Sequence, residues 1–225
     1  MSTPFRTEAI ILRRTNYGEA DRVVSLLTPD RGKISAIAKG VRKPKSKLAG
    51  GLELLATCDL TIMQGRGDMG LITSARLNEF YGDILHDYDR MQLAYAIMKA
   101  VNKAAETVSE PEFYYLLRGG LQFLNMSVID WRITELWFRL NMHTLLGHGM
   151  NLATDREARK LAAEKTYHFD FGENALYQDP RGRFTAEHIK LLRLAAAKNP
   201  AVLRQVGGIG EIIDDCLWLL RTLEQ

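Results

Sequence analysis

Cysteine is scarce in this sequence, with only Cys58 and Cys216 among 225 residues. Two cysteines so far apart supply neither a disulfide framework nor a cysteine-rich metal site. Both fall at apolar positions, one in an alternating strand pattern and one in a helical stripe, so both are predicted to be core residues. The five histidines lack the paired spacing of a zinc-binding helix. We therefore expect no metal and no cofactor.

Long apolar runs are also missing. No segment reaches the roughly 20 residues of a membrane span, and the N-terminus lacks the charged-then-apolar layout of a secretion signal. We therefore expect a cytoplasmic protein without a membrane partner. The net charge is only +3, but residues 1–80 hold five more basic than acidic residues, whereas residues 81–225 hold two more acidic ones. Any surface for a polyanion is thus predicted in the N-terminal third.

Catalytic motifs are absent as well. The phosphate-binding G-x-x-x-x-G-K-[ST] and the nucleophile turn G-x-S-x-G do not occur. Residues 65–70 match G-x-G-x-x-G, but strand-like residues flank them on both sides, where a dinucleotide site needs a helix. We interpret these residues as a hairpin turn. The sequence therefore predicts a protein that is not an enzyme.

Two hydrophobic periods divide the chain into an α+β, multidomain protein. Apolar residues alternate over 52–62, β-branched runs cover 7–14 and 21–28, and shorter strand patterns cover 33–38 and 71–77. Five short strands joined by tight turns predict a small, partly open barrel of the oligonucleotide-binding (OB) type over residues 1–80. A helical period follows, so residues 81–225 are predicted to form an all-α domain.

One segment is strongly basic. Residues 31–47 contain no acidic residue and seven basic ones, namely Arg31, Lys33, Lys39, Arg42, Lys43, Lys45 and Lys47. Glycine and proline punctuate residues 40–51, which predicts a flexible loop between two strands. A positive loop on a β scaffold favours nucleic acid as the partner, although a solvated linker is the plainer alternative. Arg66, in the 65–70 turn, is added to the predicted contacts.

Aromatic residues are few in the same region. Residues 1–80 contain only Phe5, Tyr17 and Phe80. Because OB proteins that coat single strands stack bases on aromatic rings, a barrel with few rings is expected to bind mainly through charge. Such a surface would accept both single strands and duplex DNA and would leave the bases free to pair.

Several ordered motifs in this region resemble the RecO family of bacterial recombination mediators. They are EAIILRRTNYGEADR at 8–22, GKI at 32–34, AKGVRKPKSKLAGGL at 38–52 and GRGD at 65–68. The resemblance implies an OB barrel, a helical domain and a non-enzymatic role in recombinational DNA repair, in the bacterial cytoplasm at the nucleoid. It further implies binding and annealing of single- and double-stranded DNA. The implied partners are the RecR protein, the acidic C-terminal tail of single-stranded-DNA-binding protein and, indirectly, the RecA recombinase.

The chain departs from the family in one region. Many members carry a four-cysteine zinc ribbon, but the corresponding residues 150–183 contain no cysteine. We expect a degenerate ribbon without zinc, held by the packing of Tyr167, Phe169, Phe171, Leu176 and Tyr177.

Three residues of the helical domain are candidates for binding an acidic peptide: Trp131, Arg132 and Arg139. Two other functions remain open from charge and barrel alone. One is an RNA-binding OB protein of translation or ribosome assembly, and the other is a structural adaptor whose helices dock partner proteins.

Overall fold

The computed structural model describes residues 3–64, 67, 69–108 and 110–224. The chain divides into two compact units, Met1–Asn125 and Met126–Gln225. None of the helices formed by the described residues is both long and apolar enough to cross a bilayer. The first unit holds the barrel and two helices, and the second holds the remaining helices with a small hairpin.

The first unit begins with five strands: β1 (Pro4–Tyr17), β2 (Asp21–Thr28), β3 (Gly32–Ala38), β4 (Ala56–Gln64) and β5 (Met69–Phe80). They close into a barrel in the order β1-β2-β3-β5-β4, with β3 and β5 parallel and the other neighbours antiparallel. The prediction of an N-terminal five-stranded barrel in an α+β chain is confirmed. The barrel is closed, however, because the short parallel pairing of β3 with β5 joins the two edges.

Alternation along the strands builds the barrel core. Cys58, Leu60 and Ile62 point inward from β4, where they pack with the inward residues of the other strands. A bulge between Ile11 and Arg13 interrupts the register of β1 with β2 and adds the local twist that closing a small sheet requires. The predicted burial of Cys58 is confirmed.

Two helices complete the first unit, α1 (Tyr88–Ala104) and α2 (Glu112–Asn125). Asp87 caps α1 by accepting a hydrogen bond from the Arg90 N–H. From α2, Tyr114 donates a hydrogen bond to the β1 carboxylate of Glu8, and Arg118 pairs with the same carboxylate at 3.2 Å. The barrel itself ends with β5 at Phe80, where the sequence placed the domain boundary, but these contacts make the compact unit extend to Asn125.

The second unit contains α3 (Trp131–Leu145), β6 (Tyr167–Asp170), β7 (Ala175–Gln178), α4 (Ala186–Ala197), α5 (Pro200–Leu203) and α6 (Ile209–Leu223). Glu135 of α3 is buried and receives hydrogen bonds from Arg139, at 2.8 Å, and from Arg221 of α6. A buried carboxylate with two arginine partners has its charge compensated. This cluster therefore fastens α6 to α3.

The cysteine-free region, residues 150–183, folds around the β6–β7 hairpin. Tyr167, Phe169 and Leu176 are buried in it, whereas Phe171 is exposed and packs edge-on against Trp218 of α6, with ring centroids 6.0 Å apart. Asp155 shapes the preceding turn by accepting from the Arg159 N–H at 2.9 Å. In the part of the chain that the structure describes, no three His, Cys, Asp or Glu side chains are grouped as metal ligands.

Candidate nucleic-acid interface

The loop between β3 and β4, residues 39–55, crosses one end of the barrel next to the β1–β2 turn. Two hydrogen bonds fasten it there. The Gly40 N–H donates to the Asp21 carboxylate at 2.7 Å, and the Arg42 N–H donates to the Ala20 carbonyl at 2.9 Å. Gly40 has a φ of +65°, a left-handed conformation that glycine adopts without a steric penalty. These contacts fix the first residues of the loop against the start of β2.

Apolar side chains hold the rest of the loop. Val41 and Leu52 are buried in the barrel core, and Leu48 packs against it. Near the C-terminal end Gly51 lies so close to β5 that an added Cβ would be 2.5 Å from the Ala75 carbonyl carbon. Core anchors and turn hydrogen bonds therefore hold segments of this loop between its lysines.

The cations of this loop face solvent. Lys39, Arg42, Lys43, Lys45 and Lys47 are all exposed. Among the described residues no carboxylate pairs with any of them; the Arg42 guanidinium donates only to the Gly18 carbonyl oxygen, at 3.3 Å. We call these five residues the cationic loop. Their charges remain available to an anion, and the buried residues between them keep them on the outside.

Two of the predicted contact residues lie elsewhere. Arg31 and Lys33 lie at the start of β3, whereas the cationic loop begins at its other end, and the seven residues of the strand span about 20 Å at 3.3 Å per residue. The Lys33 ammonium donates to the Asn102 carbonyl and to the Glu106 carboxylate, each at 2.9 Å. The hydrogen bond from Lys33, followed by its charge, lowers the pKa of Glu106. Lys33 is thus engaged in joining β3 to α1.

Arg31 is exposed but stacked, with its guanidinium 3.9 Å from the centroid of the Phe5 ring. Among the described residues no acceptor is bonded to its guanidinium N–H groups, so Arg31 remains a separate candidate at the far end of β3. The predicted contact residue Arg66 lies outside the described residues.

The β1–β2 hairpin contributes residues that the sequence argument did not include. Arg13, Thr15 and Tyr17 alternate on the exposed face of β1, and the Arg22 Nε on β2 donates to the Asn16 side chain at 3.2 Å. The sequence signal for Arg13 is the adjacent basic pair at positions 13 and 14. The closeness of this hairpin to the cationic loop depends on strand pairing and could not be read from the sequence.

The N-terminal domain also matches known proteins. The sequence model of the family described as "Recombination protein O N terminal" matches residues 1–81. A "DNA repair protein RecO" of Heliobacterium modesticaldum is 35% identical over 144 residues, which are 64% of this chain and 52% of the relative. Through this domain the chain is similar to the RecO family. The prediction drawn from the motifs is confirmed.

Other RecO relatives give the same picture. The "DNA repair protein RecO" of Dehalococcoides mccartyi is 39% identical over 122 residues, covering 54% of this chain and 48% of the relative. That of Bifidobacterium longum is 38% identical over 123 residues, covering 53% and 51% respectively. The chain spans about half the length of the curated relatives it matches.

The predicted peptide-binding residues Arg132 and Arg139 are both ion-paired within the second unit. Arg132 pairs with Asp130 at 2.7 Å and with Asp214 at 3.0 Å. Arg139 pairs with Glu135 and Glu224. Trp131 is half-buried at the first residue of α3. Because both guanidiniums already have carboxylate partners, the geometry gives no support to an acidic peptide at this place.

Proposed function

We propose that this chain is a DNA-binding protein of recombinational repair and that the cationic loop is its main contact with the phosphate backbone. The observation that carries the proposal is the set of five exposed cations that have no carboxylate partner among the described residues, on a loop anchored to the core of an OB barrel. DNA is favoured over other polyanions because the matched relatives are named DNA repair proteins.

Anchoring of the loop bears directly on affinity. A loop that becomes ordered only on binding loses conformational entropy at that moment, about 1–2 kcal/mol per residue for the backbone. The anchors at Val41, Leu48 and Leu52 remove much of this cost. The loop can therefore bind phosphates with little rearrangement, as a preformed row of charges.

We further propose that the chain acts by binding and not by catalysis, and that it anneals complementary strands. Contacts made to phosphates carry no sequence information and leave base edges accessible, which annealing requires. The full activity would load RecA onto DNA coated with single-stranded-DNA-binding protein, together with RecR and through the tail of that coating protein. The family resemblance supports these partners and a location at the bacterial nucleoid.

An annealing assay on complementary strands coated with single-stranded-DNA-binding protein tests the proposal. The double variant Lys43→Ala/Lys45→Ala should anneal much more slowly than the unmodified chain. The control variant Lys99→Ala/Lys103→Ala removes the same charge from exposed positions on α1 and should anneal normally. Equal annealing by all three proteins would rule the cationic loop out, and tighter binding to structured RNA than to DNA would favour the RNA-binding alternative.

A further inference from the structure

Tyr17 stands out in the first unit as an uncovered aromatic ring beside a cation. It is the last residue of β1, and 60% of its surface is exposed. Among the residues that the structure describes, no ring, cation or hydrogen-bond partner covers its side chain. Its neighbour Gly18 accepts the hydrogen bond from the Arg42 guanidinium. The exposed ring of Tyr17 therefore belongs to the residue next to one that contacts the cationic loop.

A second cation lies on the same strand face. Residues 13 and 17 of a strand project to the same side, about 13 Å apart along β1, and Arg13 is exposed. Tyr17 thus lies between two cations: Arg13, four residues earlier on β1, and Arg42, which is hydrogen-bonded to the residue after Tyr17. A nucleic-acid backbone that runs between two such cations would carry its bases past the ring.

We propose, building on the proposed DNA-binding function, that Tyr17 is a stacking platform for one unpaired base of a single strand held by the cationic loop. An aromatic ring stacks on the face of any base, so the contact needs no particular sequence. Bases inside a duplex are already stacked on each other and cannot present a face to Tyr17. The contact therefore gives single strands an advantage that the phosphate contacts alone do not provide.

Three DNA probes of equal length separate the stacking from the ionic contacts: an oligothymidylate strand, a strand of abasic sites and a duplex. Tyr17→Ala should weaken binding to oligothymidylate by about tenfold and leave binding to the abasic strand and the duplex unchanged. Tyr17→Phe keeps the ring and should bind like the unmodified chain. The salt dependence of Tyr17→Ala should also be unchanged, because no charge is removed.

The control variant is Tyr115→Ala, which removes a ring of matched exposure, 59%, from α2. It should bind all three probes normally. The proposal is overturned if Tyr17→Ala binds oligothymidylate as tightly as the unmodified chain, if it loses as much on the abasic strand, or if Tyr115→Ala loses as much. If the unmodified chain binds none of the probes, the proposed DNA-binding function fails together with this inference.

Discussion

The backbone N–H of Gly40 donates a hydrogen bond to the carboxylate of Asp21, 2.7 Å away. This bond joins the start of the cationic loop to the start of β2 and so connects two segments 19 residues apart. Asp21 is an acidic residue in a region proposed to bind DNA. Its structural role accounts for its presence there, because its carboxylate oxygen accepts from a backbone donor and fixes the start of the loop.

We expect Asp21→Ala to lower the free energy of unfolding by about 1–2 kcal/mol, because it leaves the Gly40 N–H without its acceptor. It should also weaken DNA binding, although it removes a negative charge, since the loop loses an anchor. Urea denaturation and a DNA titration measure the two effects. Asp21→Asn keeps an oxygen acceptor and serves as the control; tighter DNA binding by Asp21→Ala would show that the charge of Asp21 matters more than its hydrogen bond.

The two adjacent glycines Gly50 and Gly51 provide a matched pair. A Cβ at Gly51 would lie 2.5 Å from the Ala75 backbone, whereas a Cβ at Gly50 meets nothing within 4 Å. Gly51→Ala should therefore destabilise the protein by about 1–3 kcal/mol through overpacking, and Gly50→Ala should have little effect. The midpoints of urea unfolding compare them, and equal midpoints would mean that the loop does not pack closely against β5.

Binding to single-stranded DNA should depend strongly on salt. If the five cations of the loop neutralise about five phosphates, the logarithm of the binding constant falls with the logarithm of salt concentration at a slope of about −3.5. Lys43→Ala/Lys45→Ala should reduce the steepness by about 1.4. Titrations at several salt concentrations measure this, with Lys99→Ala/Lys103→Ala as the charge-matched control. An unchanged slope in the loop variant would contradict the assignment.

Lys33 should behave differently from the loop lysines. Its side chain is only 16% exposed and pairs with Glu106, just after the end of α1. We therefore expect Lys33→Ala to lower stability by about 1 kcal/mol, from the loss of hydrogen bonds to α1, and to leave the salt slope of DNA binding unchanged. Thermal unfolding and the same titrations check both. A slope reduced as much as in Lys43→Ala would return Lys33 to the binding site.

Burial, followed by the charges of Asp59 and Glu8, raises the pKa of the Cys58 thiol to about 12. The ordinary thiol pKa is near 8.5, so the folded protein keeps Cys58 protonated at pH 8.5 while the unfolded chain ionises. The free energy of unfolding is therefore unaffected by ionisation of Cys58 below about pH 8. It falls as the pH rises from there toward 12, because the unfolded chain loses the thiol proton first. Alkylation at pH 8.5 should be slow in the native protein and fast in urea; fast native labelling of Cys58 would contradict this.

Much of the first unit could be predicted from local patterns. Alternation over residues 52–62 indicated β4 because inward and outward positions differ in polarity, and the turn residues before β3 and β5 separated the strands. Closure of the barrel could not be predicted, since it rests on a three-residue parallel pairing between β3 and β5 that leaves no periodic signal.

The candidate site could be predicted only in part from such local patterns. The cations were evident as a run from Arg31 to Lys47, but their accessibility was not. The role of Val41 and Leu48 as anchors could not be predicted, because it depends on tertiary packing that the glycine and proline composition of the loop does not indicate. Tyr17 was counted as one of few aromatics, and its nearness to Arg42 follows from the hydrogen bond between Arg42 and Gly18, which are 24 residues apart.

Periodicity and charge are properties of neighbouring residues, so the type of fold in each region and the acid-free basic segment could be predicted from the sequence. Which of those charges lie together depends on the tertiary structure. Strand β3 is extended, so it places Lys33 about 20 Å from Lys39 and Arg31 further away still, and Lys33 forms an ion pair with Glu106. Pairing of β1 with β2, and the return of the loop onto that hairpin, bring Tyr17 to the cations that remain.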